Sequence, residues 1–288
     1  MDVNAVSQWR ATVRHSYAFR DAALYALAIG AVRDPLDRRQ LRTVYEADPV
    51  IVPTIIAILD SPGFWAKDRP ELGIDYQRLV HGEQRLQLMR PLSPQATVVG
   101  HSTVVSIDDK GAGKGAVVTV EKLIEDETGA PIGTARQILF CRGDGGSGQW
   151  KAAAGATLPA LEPAPSRAPD HLIAKHVPAD AALLYRLCGD LNPLHIDPEV
   201  AARAGFERPI LHGLATYGMA AVAVMQALGI DDPSRLRGFD ARFSAPVLPG
   251  DTLEFKIWAT PEGAQFECIC PAREVRVLSH GMARLAQE

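Results

Sequence analysis

A set of landmarks occurs twice along this chain in the same order, and that repetition limits the architecture more than any other feature. Tyr25-Ala26-Leu27 leads to Gly30 and then Pro35-Leu36, while Tyr185-Arg186-Leu187 leads to Gly189 and then Pro193-Leu194. Val80-His81-Gly82 is echoed by Leu211-His212-Gly213. Pro91-Leu92-Ser93-Pro94, followed by Thr97, is echoed by Pro246-Val247-Leu248-Pro249, followed by Thr252. Two copies of one unit are therefore expected, residues 1–154 and 171–288. The Pro- and Ala-rich stretch 155–170, which has no periodicity, is expected to link them. A length of 288 residues is ample for two such units.

The residue patterns say what each unit is made of. ATVVGHSTVVSIDDKG, GAVVTVEKLIEDETGAPIG and TARQILFCRGDGGSGQW are rich in Val and Thr and end in turn signals, so they read as an antiparallel meander. RGFDARFSAPVLPGDTLEFKIWAT, AQFECICPA and REVRVLSHGMARLA read the same way. HLIAKHVPADAALLYRLC is a strand followed by a helix, and HIDPEVAARAGF is a short helix. From Gly213 to Leu228 the chain is almost wholly apolar, with Thr216, Tyr217 and Gln226 as its polar residues; a helix apolar all round is buried. The class is α+β, each unit being a helix wrapped by an antiparallel sheet. Only a few residues separate His81-Gly82 from Pro91, so the long central helix is expected in the C-terminal unit alone. That would leave space for a ligand beside the N-terminal sheet. Asp2 to Gly30, with the stripe AALYALAIG and a C-cap glycine, is expected to be helical.

The chemistry concentrates between Tyr185 and Gly213. Just past a helix end stand an acid, Asp190, an amide, Asn192, and an imidazole, His195; His212 and Gly213 then open the apolar helix. An acid and a histidine five positions apart can face one small volume and share the protons of one water. A helix starting at Gly213 aims free N–H groups at a polarised carbonyl oxygen, a role worth about 3 kcal/mol. Standing alone, Asp190 is more readily a turn carboxylate and His195 a satisfied structural histidine. His212 reads first as a loop anchor.

The run Tyr185, Cys188, Gly189-Asp190-x-Asn192-Pro193-Leu194-His195 with the later His212-Gly213 closely resembles the signature of the hydratase 2 and MaoC-like dehydratase family. The resemblance is strong from Tyr185 to Thr252 and weaker from Tyr25 to Thr97. It implies a double hot dog fold, two antiparallel sheets each associated with a helix. It also implies hydration of trans-2-enoyl-CoA to the (R)-3-hydroxyacyl-CoA, or the reverse dehydration. Asp190 and His195 would hold and activate the water, Asn192 would orient the water or His195, and the Gly213 N–H would be the oxyanion donor, with no metal or redox cofactor. A Tyr-Glu before a Pro-Thr in two-half members points to Glu46 as a substrate-side residue. His81 and Gly82 would line the acyl groove, and His212 would face the substrate. Arg208 and Arg242, with Arg203 and Arg237 behind them, are candidates for the CoA phosphates. Ala31 and Asp37 stand where an acid–histidine pair would fall in the first unit, so that unit is expected to be inert. An acyl-CoA thioesterase and a non-catalytic acyl-CoA-binding subunit are the alternatives.

Composition narrows the rest. The chain is 47% hydrophobic and 22% charged, which is globular, and its net charge of −4 gives no reason to expect nucleic acid. The four cysteines form no C-x-x-C, and Cys268 and Cys270 share one strand face, so neither disulfides nor a zinc site is expected. His171 and His176 lack partners for a metal. No apolar leader or membrane-length run occurs, so the expected setting is the cytosol, without membrane partners. A homodimer is expected by analogy with the family.

Overall fold

The computed structural model describes residues 1–152 and 158–286. The first part of the linker, 155–157, and the boundary at 154 lie outside the described residues. The helices are α1 (Val3–Ser7), α2 (Phe19–Ala28), α3 (Arg38–Leu41), α4 (Trp65–Asp68), α5 (Ala181–Tyr185), α6 (Pro198–Arg203) and α7 (Gly213–Ala227). The strands are β1 (Arg10–Tyr17), β2 (Leu79–Leu88), β3 (Ala96–Asp109), β4 (Ala116–Asp126), β5 (Pro131–Cys141), β6 (Trp150–Lys151), β7 (His171–His176), β8 (Leu236–Phe243), β9 (Thr252–Thr260), β10 (Gly263–Cys270) and β11 (Val275–Leu285).

The strands run in the order β1-β3-β4-β5-β2-β8-β11-β10-β9-β7, with β6 paired to β3. Read from the middle outward, the two halves have the same connectivity, as the repeated landmarks imply. The two expected sheets are halves of one sheet, joined where β2 pairs with β8 (Glu83↔Arg242, Arg85↔Asp240, Gln87↔Gly238). The sheet wraps α7, which is buried along most of its length. Small residues make that possible: a Cβ at Gly218 would lie 2.5 Å from Ile29 and 2.9 Å from the Tyr25 hydroxyl. No helix of the described residues is long and apolar enough to cross a membrane.

Two expectations need correcting. Arg10–Tyr17 is a strand, the counterpart of β7, and not part of an N-terminal helix. Its exposure alternates along RATVRHSY, the signature of an edge strand that the apolar stripe of the following α2 obscures. His81-Gly82 is not the counterpart of His212-Gly213, because it lies inside β2, the partner of β8. In chain order the place of α7 is taken by the 3-10 turn Pro53–Ala57, which packs against α7. The short spacing from His81 to Pro91 is thus a strand and its exit turn. The absence of a long helix from the N-terminal half holds among the described residues for a different reason.

The Pro53–Ala57 turn is pinned by buried polar groups. Asp60 and Lys122 form an ion pair, and Lys122 Nζ also donates to the carbonyls of Ile56 and Leu59. Both residues are buried, and Gly100 leaves room for Asp60, whose side chain would collide with any Cβ there.

Candidate active site

Local turn chemistry builds the acid–histidine pair. After α5 a 3-10 turn, Arg186–Cys188, ends at Gly189, whose φ of +117° suits only glycine. The chain reverses there and presents Asp190. One Asp190 oxygen accepts the Asn192 N–H at 3.1 Å, and Asn192 Oδ1 accepts the Leu194 N–H at 3.1 Å, capping the turn Pro193–His195. Asn192 therefore acts on His195 through the backbone that carries it.

His195 is buried, with Nδ1 2.8 Å from the Ile210 carbonyl. A carbonyl only accepts, so Nδ1 carries the proton and Nε2 keeps a basic lone pair. Burial lowers the His195 pKa, with the Ile210 carbonyl and Asp190 acting against that shift. His212 Nε2 donates to the Asp190 main-chain carbonyl at 3.1 Å by the same logic. The His195 and His212 rings stack with centroids 3.7 Å apart. One donor atom from each of Asp190, His195 and His212 lies within 4.8 Å of the others.

The start of α7 closes the site. Gly213 is exposed at the helix tip, and His212 makes no side-chain cap. The N–H groups of Ala215 and Thr216 both reach the His212 carbonyl, so the Gly213 N–H is left to point outward. A Cβ on Gly213 would lie 3.3 Å from the Phe243 ring.

The N-terminal half contributes His81. A bulge at Gly82 shifts the register between His81 and Glu83, and a bulge re-aims the side chains beside it. The His81 ring meets Phe243 at 4.9 Å, and its pKa is pushed down to about 4 by burial, with Asp190 close enough to act in the opposite direction. Phe243, which touches both His81 and the space at Gly213, was not among the residues expected from the sequence. Its only signal there is its place as the last aromatic before the Pro246 turn.

The remaining candidates make no hydrogen bond or ion pair with the Asp190 or His195 side chain among the described residues. Arg242 is engaged by Glu83 at 2.7 Å, and Arg208 is exposed beside Glu207 at 2.9 Å. Arg203 pairs along α6 with Glu199 at 3.7 Å. Glu46 is exposed on the turn after α3 and has no hydrogen bond or ion pair to Asp190 or His195. His171 and His176 flank the edge strand β7 and are exposed. Cys141, Cys188, Cys268 and Cys270 are free thiols, and the strand pair Cys268 and Cys270 is fully buried.

Comparison with known proteins places each half. Residues 160–280 match the "MaoC like domain", and residues 15–143 match the "MFE-2 hydratase 2 N-terminal domain". The chain is 35% identical over 275 residues to "Enoyl-CoA hydratase ChsH3" of Mycobacterium tuberculosis, covering 94% of this chain and 93% of that one. A MaoC-like dehydratase from Phytophthora capsici superposes with a TM-score of 0.86 at 29% identity over the whole of both chains. A Mycobacterium tuberculosis protein described as a double hotdog fold superposes with a TM-score of 0.54 at 17% identity, covering 94% of this chain and 93% of that one.

Proposed function

The chain belongs to the family of MaoC-like dehydratases and hydratase 2 enzymes, and on that premise we propose that its C-terminal half carries out the chemistry while its N-terminal half houses the acyl chain. The activity is that of a hydro-lyase: water adds to a trans-2-enoyl-CoA to give the (R)-3-hydroxyacyl-CoA, or leaves in the reverse direction.

In this reading Asp190 and His195 hold one water. His195 Nε2 takes a proton as the water oxygen bonds to C3 of the enoyl group. Electron density moves to the thioester oxygen, where the Gly213 N–H donates. A proton then passes from the pair to C2, on the face from which the water came, so addition is syn. What carries this reading is one juxtaposition: an acid and a neutral histidine beside the uncapped start of a long buried helix.

The acyl chain leaves past His81, Gly82 and Phe243. A cleft of about 250 Å³, whose apolar wall is Val50, Ile51, Pro53, Leu88 and Leu92 and whose rim carries Arg42, Asp232 and Ser234, is the candidate seat in the N-terminal half. Arg208 is assigned to the CoA phosphates, since its exposed pairing with Glu207 is weak. Arg242 is the second candidate, at the cost of its bond to Glu83. For Glu46 the support is the resemblance alone. The four free thiols favour the cytosol, and the outer edges of β1 and β7 are the surfaces through which a homodimer would pair.

The test is loss of enoyl-thioester absorbance with crotonyl-CoA and a longer enoyl-CoA, for wild type and Asp190→Asn. Loss in wild type alone supports hydration through Asp190. Release of free CoA thiol instead would make the protein a thioesterase. Tight acyl-CoA binding with no turnover of either substrate would make it a binding subunit.

A further inference from the structure

We propose that His212 is a positioning residue, which holds the Asp190 main chain, the His195 ring and the start of α7 in one register. The proposal rests on the hydration reading above and assigns His212 a role away from the substrate. Three contacts carry it. Its Nε2 donates to the Asp190 carbonyl at 3.1 Å, so the backbone bearing the acid is tied to this ring. One ring face stacks on His195 at 3.7 Å, and Tyr185 packs against His212 at 4.9 Å. Its own carbonyl accepts from the Ala215 and Thr216 N–H groups, and Gly213 follows directly. One side chain thus joins the acid, the base and the N–H donor.

His212 is 1% exposed, which leaves no surface for substrate to touch. The titratable and charged groups facing it are Asp190, His195 and Arg186. Burial and the neighbouring His195 push its pKa down to about 4, so the ring is neutral at working pH. Neutrality matters to the cycle: when His195 takes the water proton, a second cation stacked on it would oppose that step.

The proposal separates His212→Gln, which keeps an N–H donor near the place of Nε2, from His212→Phe, which keeps a stacking ring without a donor. For the Phe variant kcat on crotonyl-CoA should fall about 100-fold with KM changed less than about threefold, the scale of a small misplacement of reacting groups. The Gln variant should recover at least about tenfold of that loss. A Gln variant no better than Phe, or a loss carried mainly by KM, would overturn the proposal. Wild-type protein supplies an independent check, whatever the variants do to folding. Long-range 1H–15N spectra, with His212 assigned through its contact to Tyr185, should show a neutral ring protonated on Nε2 at pH 7. A ring protonated on Nδ1, or a cation, would sink the idea. If hydration itself fails for wild type while the Nε2–H tautomer is present, the functional reading is at fault and the placement of His212 stands.

Discussion

Where the C-terminal half begins a fifteen-residue helix at Gly213, the N-terminal half begins a five-residue 3-10 turn at Pro53. The strands around these two starts follow the same order, β7-β9-β10-β11-β8 against β1-β3-β4-β5-β2. The difference is chemical. Gly213 offers an N–H and close approach, while Pro53 has no N–H and buries its ring. Asp190 and His195 bring their polar atoms within 4.8 Å of one another, while Ala31 is buried and Asp37 caps α3 through the Arg39 N–H. The sheet keeps its shape with either filling. The N-terminal half spends its polar groups on holding its own turn, through Asp60 and Lys122.

The comparison can be broken at its strongest point first. Asp190→Asn should cut kcat for hydration by about 10³-fold with little change in thermal stability, the scale of a lost general acid–base group. If Asp190→Asn retains activity, the halves do not differ in the way described. Lys122→Met leaves Asp60 buried without its cation and should cost about 3–5 kcal/mol of stability in urea unfolding. A change below about 1 kcal/mol would mean that the N-terminal turn is held by apolar packing alone.

A sharper test carries the N-terminal residue into the C-terminal half. Gly213→Pro removes the N–H donor at a first helical position where proline is tolerated, and the extended His212 (φ −58°, ψ 135°) suits a following proline. The variant should fold and lose about 10²-fold in kcat. Gly213→Ala should lose less, since the Phe243 ring needs to yield only slightly around a Cβ at 3.3 Å.

The mildest test is pH. His81 and His212 have folded pKa values near 4, and burial lowers His195 as well. Below the ordinary histidine value the unfolded chain binds protons that the folded chain refuses. Stability should therefore fall as pH drops from about 6.5 toward 4, and His212→Gln should flatten that slope. The acid limb of kcat/KM should also lie below the ordinary histidine range. A limb at or above pH 6.5 would mean that His195 is more solvated than its burial indicates.

Much of this arrangement was legible in the residues. Gly189, Asn192 and Pro193 specify their turns by their own chemistry, so the acid–histidine pair could be read directly. The apolar run after Gly213 announced a buried helix, and the repeated Pro and Thr landmarks announced the second half. What could not be read depends on strands meeting across the sheet. β1 resembles a helical run because its alternation is short and α2 follows at once. The placement of His81 beside Phe243 depends on a bulge at Gly82 that its pairing with β5 creates. Phe243 matters because of what β8 brings beside Gly213, and its own neighbours in sequence do not reveal it. The matching His-Gly pairs misled because two letters recur more easily than a register.

The seam between β2 and β8 has a consequence for how the protein is born. β2 leaves the ribosome well before β8 exists, and at ordinary translation speeds its inner edge waits about 10 s for its partner. An open edge of that kind invites pairing with a stranger. Glu83 and Arg85 stand on that edge, and charges there discourage such pairing until Arg242 arrives to meet Glu83. The carboxylate that lies buried in the finished sheet would stand on an open edge in the nascent chain.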